Sequence, residues 1–205
     1  MSLVGNKLTV DIYTAFAGRG ENRHYRCLTK NWEGIGYGDL FLATTWSPYG
    51  SEPYLNDNHS TGTTWTYAVG LGDDRWNSTG GSATLYSLTG GDNSADSLLS
   101  KDFMTGGIYR NGQEVAVNTD SGGVTELKPA HWNINSDSIQ FILDISGTDL
   151  LSGNGIAFHW GQTCQNDVIE GSAPVPEPAT ILLLGTGLFG LAGVVRKKKK
   201  KDQDN

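Results

Sequence analysis

Residues Lys7–Phe16 read KLTVDIYTAF, and the alternation in this stretch decides the fold class. Leu8, Val10, Ile12 and Phe16 fall on one side of an extended chain, and Thr9, Asp11, Tyr13 and Ala15 on the other. Successive side chains of extended backbone point to opposite faces, so a period of two predicts a strand with one buried face. Shorter runs of the same kind follow at Asp39–Thr45 (DLFLATT), Thr64–Leu71 (TWTYAVGL), Ala83–Leu88 (ATLYSL) and Gly155–Trp160. In Trp132–Ile145 (WNINSDSIQFILDI), Ile139, Phe141, Leu143 and Ile145 alternate after a polar turn. Ile108–Val117 carries Asn111-Gly112 between two β-prone arms, and this pair favours the φ > 0 turn of a two-residue hairpin. Only Ser94–Phe103 and Gly147–Ser152 suit a helical turn. About eight strands separated by glycine turns predict an all-β fold, an antiparallel β-sandwich or jelly roll. The core should include Leu8, Val10, Ile12, Phe141, Leu143 and Trp160.

The tail is built differently. Pro176-Glu177-Pro178 precedes an uncharged, Leu/Gly-rich run, Ala179–Val195, and Arg196, Lys197, Lys198, Lys199, Lys200 and Lys201 close it. As a helix the run would span about 25 Å, at the short limit for crossing a bilayer. Gly185, Gly187, Gly190 and Gly193 suit lipid better than water, where they weaken a helix. Pro174, Pro176 and Pro178 predict a stiff extended spacer. The six cations form a membrane stop on the cytoplasmic side, which puts the β domain, residues 1–173, on the other.

The order of these elements resembles the PEP-CTERM sorting signal of Gram-negative bacteria, read by the membrane protease-transpeptidase exosortase. The resemblance covers residues 174–201. It implies exosortase as partner and Pro176, Glu177 and Pro178 as the sorting motif. It also implies an inner-membrane anchor through helix 179–195 before processing, then release to the cell surface or extracellular matrix. Exosortase systems accompany exopolysaccharide production, so extracellular polysaccharide is the implied surrounding. More faintly, Gly38–Leu88, with its GDLF, WTYAVGL and ATLY cadence, resembles DOMON-like and carbohydrate-binding β-sandwiches. The segment His159–Gly171 is similar to what precedes the sorting signal in such surface proteins.

Charge and cysteine content agree with export. The chain has 15 basic and 22 acidic residues; without the tail from Pro174, which holds 6 and 3, residues 1–173 carry a net charge of −10. Phosphate binding needs a basic surface, so nucleic acid is excluded as a partner. Cys27 and Cys164 are the only cysteines, and beyond the inner membrane such a pair is expected as a disulfide. Met1–Asn6 (MSLVGN) has no charged start or apolar core of a secretory signal, so the chain is expected to continue upstream.

Several catalytic patterns fail on context. Gly185–Gly190 spells GxGxxG, but inside the apolar run, with no strand before it. Asp120-Ser121-Gly122-Gly123 looks like a serine-protease nucleophile loop without the base. His24, His59, His131 and His159 lack zinc spacing, and the Asx-rich loops Asn56–His59 and Asp92–Asp96 read as turns, so no metal or cofactor is expected. The protein is expected to be no enzyme. The candidate ligand-binding residues are the aromatics Trp46, Tyr49, Tyr54, Trp65 and Trp76, whose rings suit sugar stacking or the plugging of an aliphatic-poor core. The alternatives are a carbohydrate-binding module built on these rings and a weak glycoside hydrolase built on two of Asp11, Glu33, Asp39, Asp73, Asp74, Glu114 and Asp144. Exposed aromatics in a concave face favour binding. A carboxylate pair ~5–10 Å apart in a cleft favours hydrolysis.

Overall fold

The computed structural model describes residues 1–19, 34–89, 95–105, 110–153 and 155–175. Within them the strands are β1 (Ser2–Val4), β2 (Lys7–Tyr13), β3 (Leu40–Ala43), β4 (Tyr67–Gly70), β5 (Gly80–Leu88), β6 (Ser97–Leu99), β7 (Glu114–Val117), β8 (Val124–Ile134), β9 (Ser138–Asp144), β10 (Gly155–Gly161) and β11 (Val168–Pro174). The only regular helical pieces among the described residues are a 3-10 turn, Gly72–Trp76, and the four-residue α1, Ser100–Phe103.

The expected antiparallel all-β fold is present, but the pair of sheets expected of a sandwich is not. Nine strands form a single sheet in the order β1-β2-β9-β8-β5-β4-β3-β10-β11, with every pairing antiparallel. The sheet curls until its own face is its packing partner. Leu8, Val10 and Ile12 of β2 therefore share one core with Leu40 and Leu42 of β3 and Trp160 of β10, from the far side of the strand order. Phe141, Leu143 and Trp132 complete that core, and all six residues expected in it are buried. A right-handed sheet twist accumulated over nine strands favours such closure. A hydrogen bond from the Thr14 hydroxyl to Asp167 Oδ2 (2.7 Å) ties the chain after β2 to the approach of β11.

The separate ribbon β6-β7 lies over the outer face of the sheet. It explains why β3 is buried on both faces: Leu40 and Leu42 point into the main core, while Phe41 and Ala43 join Trp65, Ala68, Val117 and Ala157 in a second one. Of the hairpin expected around Asn111-Gly112, Gly112 takes the turn conformation (φ +81°) and β7 pairs with Ser97–Leu99, while residues 108 and 109 of the expected first arm lie outside the described residues.

Four stretches of strand were not expected, β6 among them, in the Ser94–Phe103 segment that suited a helical turn and that turns helical only at Ser100–Phe103. β1 is made from Ser2–Val4 through the two-residue loop Gly5-Asn6. β8 begins at Val124 instead of Trp132. β11 takes up Val168–Gly171, the end of the segment that resembled a preamble to the sorting signal, and runs on to Pro174.

Candidate functional site

Asp39, one residue before β3, organises one cleft of the domain. Its Oδ1 accepts a hydrogen bond from the Leu71 N–H (2.9 Å) and lies 3.1 Å from the Arg75 guanidinium. Its Oδ2 accepts from the Val117 N–H (2.7 Å). Arg75 also donates to the Tyr37 carbonyl (3.1 Å) and lies 5.6 Å from the centre of the Phe103 ring. Both charges are buried, and each is satisfied by the other and by backbone groups. This pair joins β3, the Gly72–Trp76 turn and β7, and it forms the floor of a cleft of about 560 Å³. Trp76, Tyr86, Asp73 and Thr119 line the same cleft. Trp76 is seated against Gly36, where a Cβ would come within 2.6 Å of the ring. Aromatic faces beside a carboxylate and a hydroxyl are what a sugar ring, apolar on one face and hydroxylated at its rim, can use.

The other aromatics do not join Trp76. Trp46 and Tyr54 meet edge to face with ring centres 5.5 Å apart, and Tyr49 is exposed. Trp46 lines a second cleft of about 750 Å³ with Thr45, Ser152, Ser172 and Pro174. Trp65 is 3% exposed and packs on the His159 ring at 5.7 Å, so it belongs to the core and not to a ligand surface.

Beneath Trp46 lies a buried polar chain that the sequence did not single out. The His159 ring on β10 is fully buried, with Nδ1 3.3 Å from Glu170 Oε2 and Nε2 3.0 Å from the Glu114 carbonyl. Both neighbours are acceptors, so both ring nitrogens donate only in the imidazolium. Burial alone would push its pKa down, but the hydrogen bond to Glu170 and the negative charges of Glu114 and Glu170 outweigh that and raise it. Glu170, on β11, also accepts from the Trp46 indole N–H (3.0 Å). Burial pushes its carboxyl up, yet His159, Trp46 and Asp57 together hold it below the ordinary value. Asp57 is 3% exposed and faces Glu170. Neither of its carboxylate oxygens has a hydrogen-bond partner of good geometry among the described residues unless a proton sits between the two carboxyls. Burial first, and then the charge of Glu170, push the Asp57 pKa up to about 7. The loop is shaped around this carboxyl: a Cβ on Gly62 would meet Asp57 Oδ1 at 1.7 Å. The chain therefore reads imidazolium, carboxylate, carboxylic acid.

Asp57 sits in an Asx-rich stretch that reads as a turn, and nothing in the sequence links it to Glu170. Of the acidic residues weighed as a hydrolytic pair, Asp39 is locked in its ion pair, Asp144 bonds Lys128 at 3.1 Å on the surface, and Glu33 lies outside the described residues. Among the described residues no group of three or more His, Cys, Asp or Glu side chains is arranged to hold a metal ion. Cys164 is a free, buried thiol whose pKa burial raises, so the structure contains no bridge at this position, and Cys27 lies outside the described residues. The sorting triplet, the 179–195 span and Arg196–Lys201 also lie outside them. Among the described residues no helix is long and apolar enough to cross a membrane.

No curated protein and no solved structure matches the chain, so the likeness of Gly38–Leu88 to DOMON-like domains finds no support. The tail does match: residues 174–197 fit the PEP-CTERM protein-sorting motif, beginning at Pro174, the last residue of β11. Such a motif implies export, a membrane-anchored precursor and exosortase as the processing partner. Residues 174–197 thus carry a PEP-CTERM protein-sorting motif behind the β domain.

Proposed function

We propose that the chain is a surface protein of the extracellular polysaccharide matrix, released from its membrane anchor by exosortase, whose β domain binds polysaccharide without cleaving it. The observation that carries the reading is the sorting motif at residues 174–197. Export to a polysaccharide-rich surface makes a sugar the ligand to test first, and the Trp76–Tyr86 cleft supplies aromatic and polar groups for it. Glycoside hydrolysis needs two carboxyls ~5–10 Å apart with the scissile bond between them. Asp57 and Glu170 instead act directly on each other, and Asp57 is buried.

The test is co-sedimentation of the purified chain with insoluble exopolysaccharide from an exosortase-bearing bacterium. Retention is expected, and Trp76→Ala should weaken it about tenfold, the equivalent of one aromatic stack. Equal retention of variant and wild type would remove the cleft from the proposal. New reducing ends in the polysaccharide would turn the reading to the hydrolase.

A further inference from the structure

Besides Trp65 and Thr66 at its end, which pack and bond against β3 and β5, the loop of residues 44–66 between β3 and β4 is fastened at two further places. One is the turn before β7: His59 Nδ1 meets the Gly112 carbonyl at 2.8 Å, Arg110 donates to the Tyr54 carbonyl, and the Gln113 amide donates to the Asp57 carbonyl. The other is edge strand β11, reached through Glu170 by both Trp46 and Asp57. The second fastening differs from the first because its carboxyl–carboxyl contact holds only while a proton is present.

We propose that His159, Glu170 and Asp57 form a proton-operated latch that clamps the 44–66 loop to β11 and lets both go when the shared proton is lost. In the closed form His159 is the cation, Glu170 the anion and Asp57 the neutral donor, so the buried chain carries no net charge. The charged and titratable groups facing it are Glu114 from β7, whose charge favours the imidazolium, and Arg110 and His59 on the far side of the loop. When Asp57 gives its proton to solvent, two carboxylates face each other in a site with one cation. The backbone N–H groups of Tyr49 and Asn58 favour the charged Asp57, and the repulsion between the two carboxylates is relieved by separation of the loop from β11. Deprotonation of His159 acts in the same direction by removing the charge that holds Glu170 in place. The latch sits on β11, whose last residue, Pro174, is also the first of the sorting motif, so it bears on how firmly that strand is held. It also reshapes the second cleft, since Trp46, Ser172 and Pro174 all line it.

The test is amide hydrogen exchange on the full chain in detergent at pH 5.5 and 8.5, corrected for intrinsic exchange. The transition is centred near pH 7, so protonated Asp57 goes from about 30-fold in excess to about 30-fold in deficit. Protection of residues 168–174 and 44–66 should fall at least tenfold, while β2 and β9 stay unchanged. In Asp57→Asn the amide donates to Glu170 at either pH, so protection there should be flat. Equal loss in wild type and Asp57→Asn, or loss shared by β2 and β9, would overturn the latch. Should Asp57→Asn not fold, the carboxyl carbon shift of Asp57 in the wild type decides. A midpoint near neutrality supports the latch, and one near the ordinary aspartate value overturns it. The outcome is independent of polysaccharide binding.

Discussion

Replacing Arg75 by methionine keeps most of the side-chain volume and removes the cation 3.1 Å from Asp39, a residue 1% exposed. Breaking one half of a buried ion pair costs about 3–5 kcal/mol, because the remaining charge stays desolvated. Asp39 would keep the Leu71 and Val117 N–H donors, which places the expected loss at the lower end, about 3 kcal/mol. With a urea dependence of about 2 kcal/mol per molar, the unfolding midpoint should move down by about 1.5 M. Urea titration of the full chain in detergent, followed by tryptophan fluorescence, reads this directly. Adding Asp39→Asn to the variant removes the stranded charge. The double variant should be less destabilised than the sum of the single ones by about 1–3 kcal/mol. A midpoint shift below about 0.3 M for Arg75→Met, or strict additivity in the double variant, would show that the pair is not the joint between β3, the Gly72–Trp76 turn and β7.

Stability should decline as pH rises toward and through neutrality. Folded Asp57 holds a proton to about pH 7 that the unfolded chain releases near 3.8, so the folded state loses stability across that interval. His159, raised in the fold, adds stability below its ordinary value of 6.5 that is lost as pH climbs through its folded pKa. Glu170 works the other way: its contribution is present above 4.5 and is lost as pH falls through its lowered folded value. Melting temperature by circular dichroism should therefore fall between pH 6 and 8.5, and Asp57→Asn should flatten that limb; a rise over the interval contradicts the assignment. Cys164 should resist iodoacetamide in the native chain and react fully in denaturant without reductant, as intact mass will record, whereas a need for reductant would restore the disulfide to Cys27.

The sequence revealed the strands whose one face is buried and whose other is wet. β2 and β9 alternate cleanly, and their register, Leu8 opposite Leu143 and Val10 opposite Phe141, keeps the apolar face continuous. The first half of β8 was hidden because Pro129 argues against a strand interior. Pro129 is tolerated because pairing with β9 starts only at Ala130 and the pairing with β5 is irregular beside Leu85 and Tyr86. β1 carried a legible signal in Gly5-Asn6, with Gly5 at φ +60°, a two-residue hairpin loop. A long sheet closing on itself leaves the same alternation as two packed sheets, so strand pattern alone cannot separate them. The aromatics were visible as a class, but which of them line a cleft depends on the ribbon β6-β7 and on the 44–66 loop. The Asp57–Glu170 contact joins a loop to a distant edge strand, and no spacing rule reports such a pair.

The central claim is that the tail is an exosortase signal and not only a membrane stop. The direct measurement is the C-terminal mass of a reporter carrying residues 174–205 behind a secretory signal, expressed in cells with and without exosortase. The account predicts a shortened C-terminus only where exosortase is present, and its loss when Pro176, Glu177 and Pro178 are replaced by alanine while membrane insertion persists. Processing that ignores the enzyme or the triplet would contradict it.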